Sequence, residues 1–164
     1  MTEKVYKRFI PFLLIAFSVA ADRITKAMAV TELKENGVGS VDVIGGVFSF
    51  TYHENRGAAF GMFSNSRWIF MTISTLAILA IAVYLFVISE DNILRSVSLS
   101  FIVGGGIGNM IDRIFNGYVV DFLYFELIDF PVFNVADIFV TIGAFLLVIQ
   151  LLFCDKTGDL QGAA

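Results

Sequence analysis

Asp121 and Asp137 are the residues of this sequence whose type and placement most directly suggest chemistry. They flank the start of the last long apolar segment. An ionisable side chain at membrane depth is costly and by default marks a functional site. Two carboxyl groups that come close together share one proton, so the ionised one can take a proton from water while the protonated one polarises a scissile carbonyl. The pair therefore predicts aspartyl protease chemistry.

The surroundings of the two aspartates predict different protonation states. Asp137 is expected about one turn into the last helix, where the helix dipole favours an ionised carboxylate by roughly 0.3–1 kcal/mol. Asp121 is expected in the preceding loop, within apolar Val119–Phe122, where desolvation favours the protonated form. One charged and one protonated carboxyl group is the combination that an aspartyl protease needs.

Other reaction classes lack support in the sequence. His53-Glu54 has no second histidine four residues on, as a zinc protease helix would require, so we expect no metal and no cofactor. Cys154 lies at the opposite end of the last helix from the level expected for His53, which places a Cys-His nucleophile across the bilayer. No serine stands in a Gly-x-Ser-x-Gly elbow.

Asp22 and Lys26 are four residues apart, so on a helix they share a face in the favourable acid-before-base order. Two interpretations stay open. The pair could be an ion pair that lets a helix end lie at the membrane surface, or it could support nearby catalytic groups. In neither case do we expect it to be catalytic.

Gly104 and Gly108 are four apart inside an apolar helix, a pattern that permits tight helix contact. Asn109, Asp112 and Arg113 follow at spacings of three and four, which predicts one shared helical face. This polar face could be a wall of the site or an interfacial anchor. By itself the polar segment at positions 53–60 is more typical of a turn than of a binding loop.

The composition predicts a membrane protein. The chain has 164 residues, 57% of them hydrophobic, and a mean hydropathy of +0.81, which is too apolar for an ordinary soluble domain. The net charge of -4 and the lack of a basic stripe exclude nucleic acid as an expected partner. The N-terminal apolar run Phe9–Ala21 is followed by charged residues instead of a cleavage site, so we expect a retained helix.

The predicted fold is an all-α membrane protein with four transmembrane helices and a small extracytoplasmic β-sheet, in one domain spanning residues 1–164. The helices are expected at roughly 9–29, 68–88, 93–111 and 133–153, and the β element at roughly 41–52, around Gly45-Gly46. With alternating helix directions, the charged ends of helices 1, 3 and 4 meet at one membrane face.

Orientation is predicted from the distribution of basic residues. Lys4, Lys7 and Arg8 precede the first helix, which favours cytoplasmic N- and C-termini and an extracytoplasmic site. Three basic residues on the opposite side count against this orientation: Lys34, Arg56 and Arg67.

Five ordered motifs resemble those of bacterial lipoprotein signal peptidase, also called signal peptidase II. They are Asp22-x-x-Thr25-Lys26, Asn55-Arg56-Gly57-Ala58-Ala59-Phe60, Gly108-Asn109-x-x-Asp112-Arg113, Val120-Asp121-Phe122 and Phe133-Asn134-Val135-Ala136-Asp137. The resemblance spans about Asp22 to Asp137 and includes the four-helix layout.

The resemblance implies an intramembrane aspartyl endopeptidase of the bacterial inner membrane that removes prolipoprotein signal peptides just before a diacylglyceryl-modified cysteine. It also implies an extracytoplasmic β-cradle, contact with membrane lipid and inhibition by globomycin-like cyclic peptides. Asp121 and Asp137 would be the catalytic pair. The residues that would line, brace or support the site are Asn55, Gly57, Asn109, Asp112, Arg113, Asn134, Asp22 and Lys26. We expect a monomer.

Two rival functions compete with the peptidase. A small proton- or cation-coupled transporter would also use paired carboxylates, but it predicts polar groups through the membrane depth and often repeated halves, neither of which the sequence shows. A non-catalytic scaffold packed through glycines would leave both aspartates without a purpose.

Overall fold

The computed structural model describes residues 2–57, 67–88 and 92–154. The chain is mostly helical, with a small antiparallel sheet. In chain order the elements are α1 (Thr2–Ala29), β1 (Ser40–Ile44), β2 (Phe48–Asn55), α2 (Arg67–Val83), α3 (Ile93–Phe115), β3 (Val119–Tyr124) and α4 (Val135–Ile149). Wider π-type turns extend α1, α2 and α4 over Val30–Glu35, Tyr84–Ile88 and Gln150–Cys154, and a 3-10 turn covers Glu126–Ile128.

Helix α3 is the centre of the bundle because its glycines admit neighbours on two sides. A Cβ at Gly104 would lie 2.6 Å from Ser18 Cβ, and one at Gly108 would lie 2.6 Å from Asp22 Oδ2. From the first contact to the second, the residue number increases by four on both helices, so α1 and α3 run parallel. The close helix contact that the glycine spacing predicts is present.

Helix α4 packs against another face of α3. Gly105 faces the backbone carbonyl of Ala136, and a Cβ at Gly143 would lie 2.6 Å from the Ser98 carbonyl oxygen. These contacts run in opposite directions along the two helices, which makes α3 and α4 antiparallel. The start of α4 is thereby brought level with Gly105, in the C-terminal half of α3.

The sheet has the order β1-β2-β3, and both pairs are antiparallel. The predicted hairpin is present, with Gly46 in the left-handed region at φ 68°, a conformation that glycine adopts freely. Asp121, expected in a loop, lies instead on β3 opposite His53. The whole strand is buried as far as Leu123, so it lacks the alternation of polar and apolar residues by which a half-exposed strand is recognised.

A small core joins the sheet to the end of α1. It consists of Ala29, Leu33, Phe122 and Leu123, with Phe48, Tyr52, Phe133 and Val135 packed around it. Burial of these residues fixes β3 against the helices and therefore fixes the position of Asp121.

The outer faces of the helices are apolar. Phe17 on α1 is 61% exposed and Phe145 on α4 is 65% exposed, an arrangement that suits contact with lipid better than with water. Among the described residues, the helices Ile93–Phe115 and Val135–Phe153 are long and apolar enough to cross a membrane.

Candidate active site

Asp137 is held by the N-terminus of α4. Its backbone N–H donates to Asn134 Oδ1 at 3.0 Å, and the Asn134 backbone N–H donates to Asp137 Oδ2 at 3.1 Å. This reciprocal capping satisfies two backbone donors that a helix start otherwise leaves unpaired. The second carboxylate oxygen, Oδ1, accepts from Asn109 Nδ2 at 2.8 Å.

Asp121 is held by two side-chain amides. Asn55, at the end of β2, donates from Nδ2 to Asp121 Oδ2 at 2.9 Å. Asn134 donates from Nδ2 to Asp121 Oδ1 at 2.6 Å. Every carboxylate oxygen of Asp121 and Asp137 therefore accepts an N–H from an asparagine, and Asn134 contacts both acids.

The two amides between the acids are themselves oriented. Asn109 Oδ1 accepts from Lys26 Nζ at 2.9 Å and from Asn134 Nδ2 at 3.1 Å. The remaining group of Asn109, its NH₂, therefore points at Asp137. Asn134 is fully buried and Asn109 is nearly so, hence this network forms away from solvent, where satisfied polar contacts are most restrictive.

Two buried carboxylates accept hydrogen bonds from the backbone next to Asp121 and Asp137. Asp22 Oδ1 accepts from the N–H of Ala136 at 3.2 Å, and Asp112 Oδ2 accepts from the N–H of Val120 at 3.1 Å. Ala136 and Val120 are the residues immediately before Asp137 and Asp121. Each site aspartate is thus anchored through the backbone N–H of the residue that precedes it.

Lys26 joins the two anchoring carboxylates. Its Nζ lies 3.0 Å from Asp22 Oδ1 and 2.9 Å from Asp112 Oδ2. With Asn109 as its third partner, all three ammonium protons are used. Arg23 adds a second cation, with Nη1 2.8 Å from Asp112 Oδ1. We call Asp22, Lys26 and Asp112 the anchoring triad.

The expected shared face of Asn109, Asp112 and Arg113 is divided in the structure. Asn109 and Arg113 line the cleft, whereas Asp112 is buried against Arg23 and Lys26 of α1. Residues 112 and 113 are adjacent on a helix and so point about 100° apart. Asp22 and Lys26 form the ion pair that their spacing predicts, at 3.0 Å, and both side chains are buried within the protein.

A cleft of about 1110 Å³ opens beside the pair. It lies between α2 and α4, with α3 as its floor, and Asp121 and Asp137 are at its sheet end. Asn55, Gly57 and Arg113 also line that end. Below them the walls are mainly apolar, as at Ile78, Ile81, Ile102, Ile138 and Ile142.

The protonation of Asp121 follows from its location. Burial above all, and the nearby charge of Asp137, raise the pKa of this carboxyl group from 3.8 to about 7, although the hydrogen bonds from Asn55 and Asn134 act to lower it. Near neutral pH, Asp121 therefore retains a proton in a substantial fraction of molecules. This agrees with the protonated state expected from its apolar sequence context.

A charged cluster supports the strand end that carries Asn55. Glu54 accepts from Lys34 Nζ at 3.0 Å and from Arg56 Nη2 at 2.8 Å. These contacts lower the pKa of Glu54 to about 2. Among the described residues, no three His, Cys, Asp or Glu side chains are grouped to hold a metal ion.

The sequence interpretation missed part of the cleft. Tyr124 and Asp129 line its outer rim, and the Tyr124 hydroxyl donates to Asp129 Oδ1 at 2.7 Å. Asp129 adopts a left-handed conformation with φ 48°, which asparagine and aspartate tolerate better than most residues. No motif signalled these two positions. Ala58, Ala59 and Phe60 of the second motif lie outside the described residues.

The family model of signal peptidase (SPase) II matches residues 14–153 of the chain. The chain belongs to the signal peptidase II family. This membership makes it a peptidase, and it favours that activity over the transporter and scaffold considered above.

Individual relatives of this signal peptidase II family chain cover most of its length. A lipoprotein signal peptidase of Brevibacillus brevis is 42% identical over 147 residues, which are 88% of this chain and 96% of the relative. One of Clostridium tetani is 42% identical over 151 residues, with 90% and 95% covered.

Two solved structures of a bacterial membrane enzyme share the fold of this family member. Both are 35% identical to it, with TM-scores of 0.79 and 0.77. The first covers 87% of each chain, and the second covers 88% of this chain and 93% of its own. The fold of this family member is therefore that of a bacterial membrane enzyme.

Proposed function

We propose that this protein is an intramembrane aspartyl endopeptidase that removes the signal peptide from prolipoproteins, cutting just before the diacylglyceryl-modified cysteine. The observation that carries the proposal is the placement of Asp121 and Asp137, whose four carboxylate oxygens accept amide N–H groups at one end of an apolar cleft. Family membership and the names of the relatives agree with this substrate.

The two acids divide the work by protonation state. Asp121 begins protonated, because burial raises its pKa to about 7, and its hydroxyl donates to the scissile carbonyl oxygen. Asp137 begins as a carboxylate at a helix N-terminus and takes a proton from the attacking water. The resulting tetrahedral intermediate collapses when Asp137 gives that proton to the leaving nitrogen, and Asp121 recovers its own.

The shape of the cleft suits a helical apolar substrate. Its walls belong to α2 and α4, and isoleucines cover both of them and the α3 floor. A signal peptide can lie along these walls while its lipid-modified cysteine lies at the sheet end. Arg113 lines that end as a cation, and we place it in contact with the substrate backbone near the scissile bond.

The membrane arrangement belongs to the same proposal. Four helices span the bilayer, both termini are cytoplasmic, and the pair lies near the extracytoplasmic face beside the sheet. The apolar outer surfaces at Phe17 and Phe145 support lipid contact. We also expect the cleft to bind globomycin-like cyclic peptides at Asp121, Asp137 and Arg113. A single chain contains both aspartates, which supports a monomer.

The test is cleavage of a diacylglyceryl-modified prolipoprotein peptide in detergent. Wild type is compared with Asp121→Asn and Asp137→Asn, each of which keeps side-chain volume but removes an ionisable group. Asp42→Asn is the matched control because Asp42 is exposed on β1. We expect both site variants to be inactive and Asp42→Asn to cleave at the wild-type rate. Absence of wild-type cleavage, or full activity in a folded site variant, would contradict the proposal.

A further inference from the structure

A polar bridge crosses the end of the helix bundle that is remote from the two aspartates. Arg95, near the start of α3, donates from Nε to Gln150 Oε1 at 3.2 Å and from Nη1 to the Tyr84 hydroxyl oxygen at 3.1 Å. Tyr84 continues α2 and Gln150 follows α4. One guanidinium group therefore joins the two helices that flank the cleft, and we call these three residues the Arg95 bridge.

The Arg95 bridge lies on the same side of the bundle as the cleft. Arg95 precedes the cleft residue Ile102 by seven positions, two helical turns, and so shares its face of α3. Tyr84 follows the cleft residue Ile81 by three positions on α2. The three bridge residues do not line the cleft; they lie about one to two helical turns below its deepest lining residues. Gln150 of the bridge is fully buried.

The spacing along α4 measures the distance from the acids to the bridge. Gln150 lies 13 residues after Asp137, which corresponds to ~20 Å of helix. A helix that crosses a hydrocarbon core of ~30 Å needs about 20 apolar residues. The apolar part of a secretory signal is shorter, with about 7–15 residues. The 13 residues between Asp137 and Gln150 therefore match the apolar length of a secretory signal and not that of a full transmembrane helix.

We propose that the Arg95 bridge is a length-specificity element that closes the cleft about 13 residues below the scissile bond. It rests on the proposed function. A signal with an apolar run of that length ends where the bridge begins, so its polar N-terminal region meets polar groups. A longer apolar helix must displace the guanidinium or leave the cleft, because Arg95 ties α2 to α4 at that level. The enzyme thereby discriminates lipoprotein signals from transmembrane anchors that reach the same membrane depth.

The test measures kcat/KM for diacylglyceryl-modified substrates with apolar runs of about 10, 13, 16 and 19 residues, which as helices are about 15, 20, 24 and 28 Å long. Sequences around the modified cysteine stay constant. We expect the wild type to prefer the run of about 13 over that of about 19 residues by about tenfold, equivalent to one pair of unfavourable polar contacts. Arg95→Met should reduce this preference to about twofold or less while retaining cleavage of the shorter substrate.

Two further variants keep the outcome decisive. Tyr84→Phe removes only one hydroxyl group of the bridge and should weaken the length preference in a protein that folds normally. Arg8→Met is the matched control. Helix α1 runs parallel to α3, with Ser18 opposite Gly104 and Asp22 opposite Gly108, so the same register puts residue 8 level with the start of α3. None of the described residues of α1 lines the cleft. It should keep the wild-type preference.

Each result has one meaning for the inference. Loss of the preference in Arg95→Met, or its reduction in Tyr84→Phe when Arg95→Met is inactive on every substrate, supports it. A wild type without a length preference overturns the inference. So does a length preference that persists in Tyr84→Phe, if Arg95→Met either keeps the same preference or is equally inactive on every substrate. A wild type that cleaves none of the substrates contradicts the proposed function instead.

Discussion

Lys26 orients Asn109: its Nζ lies 2.9 Å from Asn109 Oδ1. An amide whose oxygen accepts from an ammonium group must direct its NH₂ elsewhere, and here that group donates to Asp137 Oδ1 at 2.8 Å. A residue of α1 that does not line the cleft thus determines which hydrogen bond the site carboxylate receives.

Replacement of this lysine tests the relationship. Lys26→Met leaves Asp22 and Asp112 buried without their shared cation, and breaking a buried ion pair typically costs ~3–5 kcal/mol. We expect a large fall in thermal stability in detergent and loss of peptidase activity. Lys34→Met is the comparison, since the Lys34–Glu54 pair is solvent-exposed and such pairs contribute about 0–1 kcal/mol. Equal destabilisation by the two substitutions would contradict the buried role of Lys26.

Asp112 should act on turnover more than on substrate affinity. It anchors the N–H of Val120 at 3.1 Å but lies outside the cleft. Asp112→Asn retains an acceptor oxygen and loses the charge that pairs with Lys26 and Arg23. We expect kcat to fall at least about tenfold, because displacing a catalytic group by a fraction of an ångström is costly, with KM nearly unchanged.

Steady-state kinetics of this variant beside Arg113→Gln provide the check. Arg113 lines the cleft, so its substitution should raise KM. If Asp112→Asn raises KM and spares kcat, the anchoring role is wrong.

Activity should decline as pH rises through about 7, since Asp121, whose pKa is about 7, then loses the proton that polarises the carbonyl. The hydrogen bond from Asn55 lowers this pKa because it stabilises the carboxylate. Removing it in Asn55→Ala should raise the pKa, move the alkaline limb of the pH profile to higher pH and reduce the maximal rate.

The measurement for this prediction is kcat/KM between about pH 5 and pH 9, the range that brackets the titration. Asp42→Asn, on exposed β1, should leave the limb in place. An alkaline limb that stays put or moves to lower pH in Asn55→Ala would show that another group controls it.

Gly108→Ala should disturb the site indirectly, by displacing Asp22. The added Cβ would lie 2.6 Å from Asp22 Oδ2 and 3.0 Å from Asp22 Cγ, so the carboxylate that anchors Ala136 must move. Overpacking of this kind costs ~1–3 kcal/mol, and we expect lower thermal stability together with reduced cleavage. Gly45→Ala is the matched control, because a Cβ there meets nothing within 4 Å. A Gly108→Ala protein with wild-type stability and rate would refute the close approach.

Several structural features were predictable from local sequence. The apolar segments that become α2, α3 and α4 are visible in the sequence, with charged residues only near their ends, and Gly104 with Gly108 indicated a close helix contact. The position of Asp137 in the first turn of α4, after its Asn134 cap, follows from ordinary helix-start chemistry. These features depend on neighbours in the sequence, so a linear pattern suffices.

The strand that carries Asp121 was not predictable in the same way. Its residues are apolar on both sides of the aspartate and are buried on both faces, so no period distinguishes a strand from a loop or a helix segment. Only its pairing with β2, which places Asp121 opposite His53, establishes the conformation. Pairing partners far apart in the chain leave no local signal.

By itself, the sequence determined which residue types form the candidate site: two aspartates, with asparagines and a lysine, in ordered motifs. It also determined the apolar helices that carry most of these residues. Tertiary structure alone decided that Asp22 and Asp112 grip the peptide N–H groups before Asp137 and Asp121, and that Arg95 joins α2 to α4. The physical reason is that a hydrogen bond to a backbone group or between helices depends on distance and direction in three dimensions. Backbone donors are the same at every non-proline residue, so the sequence does not mark which of them a distant carboxylate will bind.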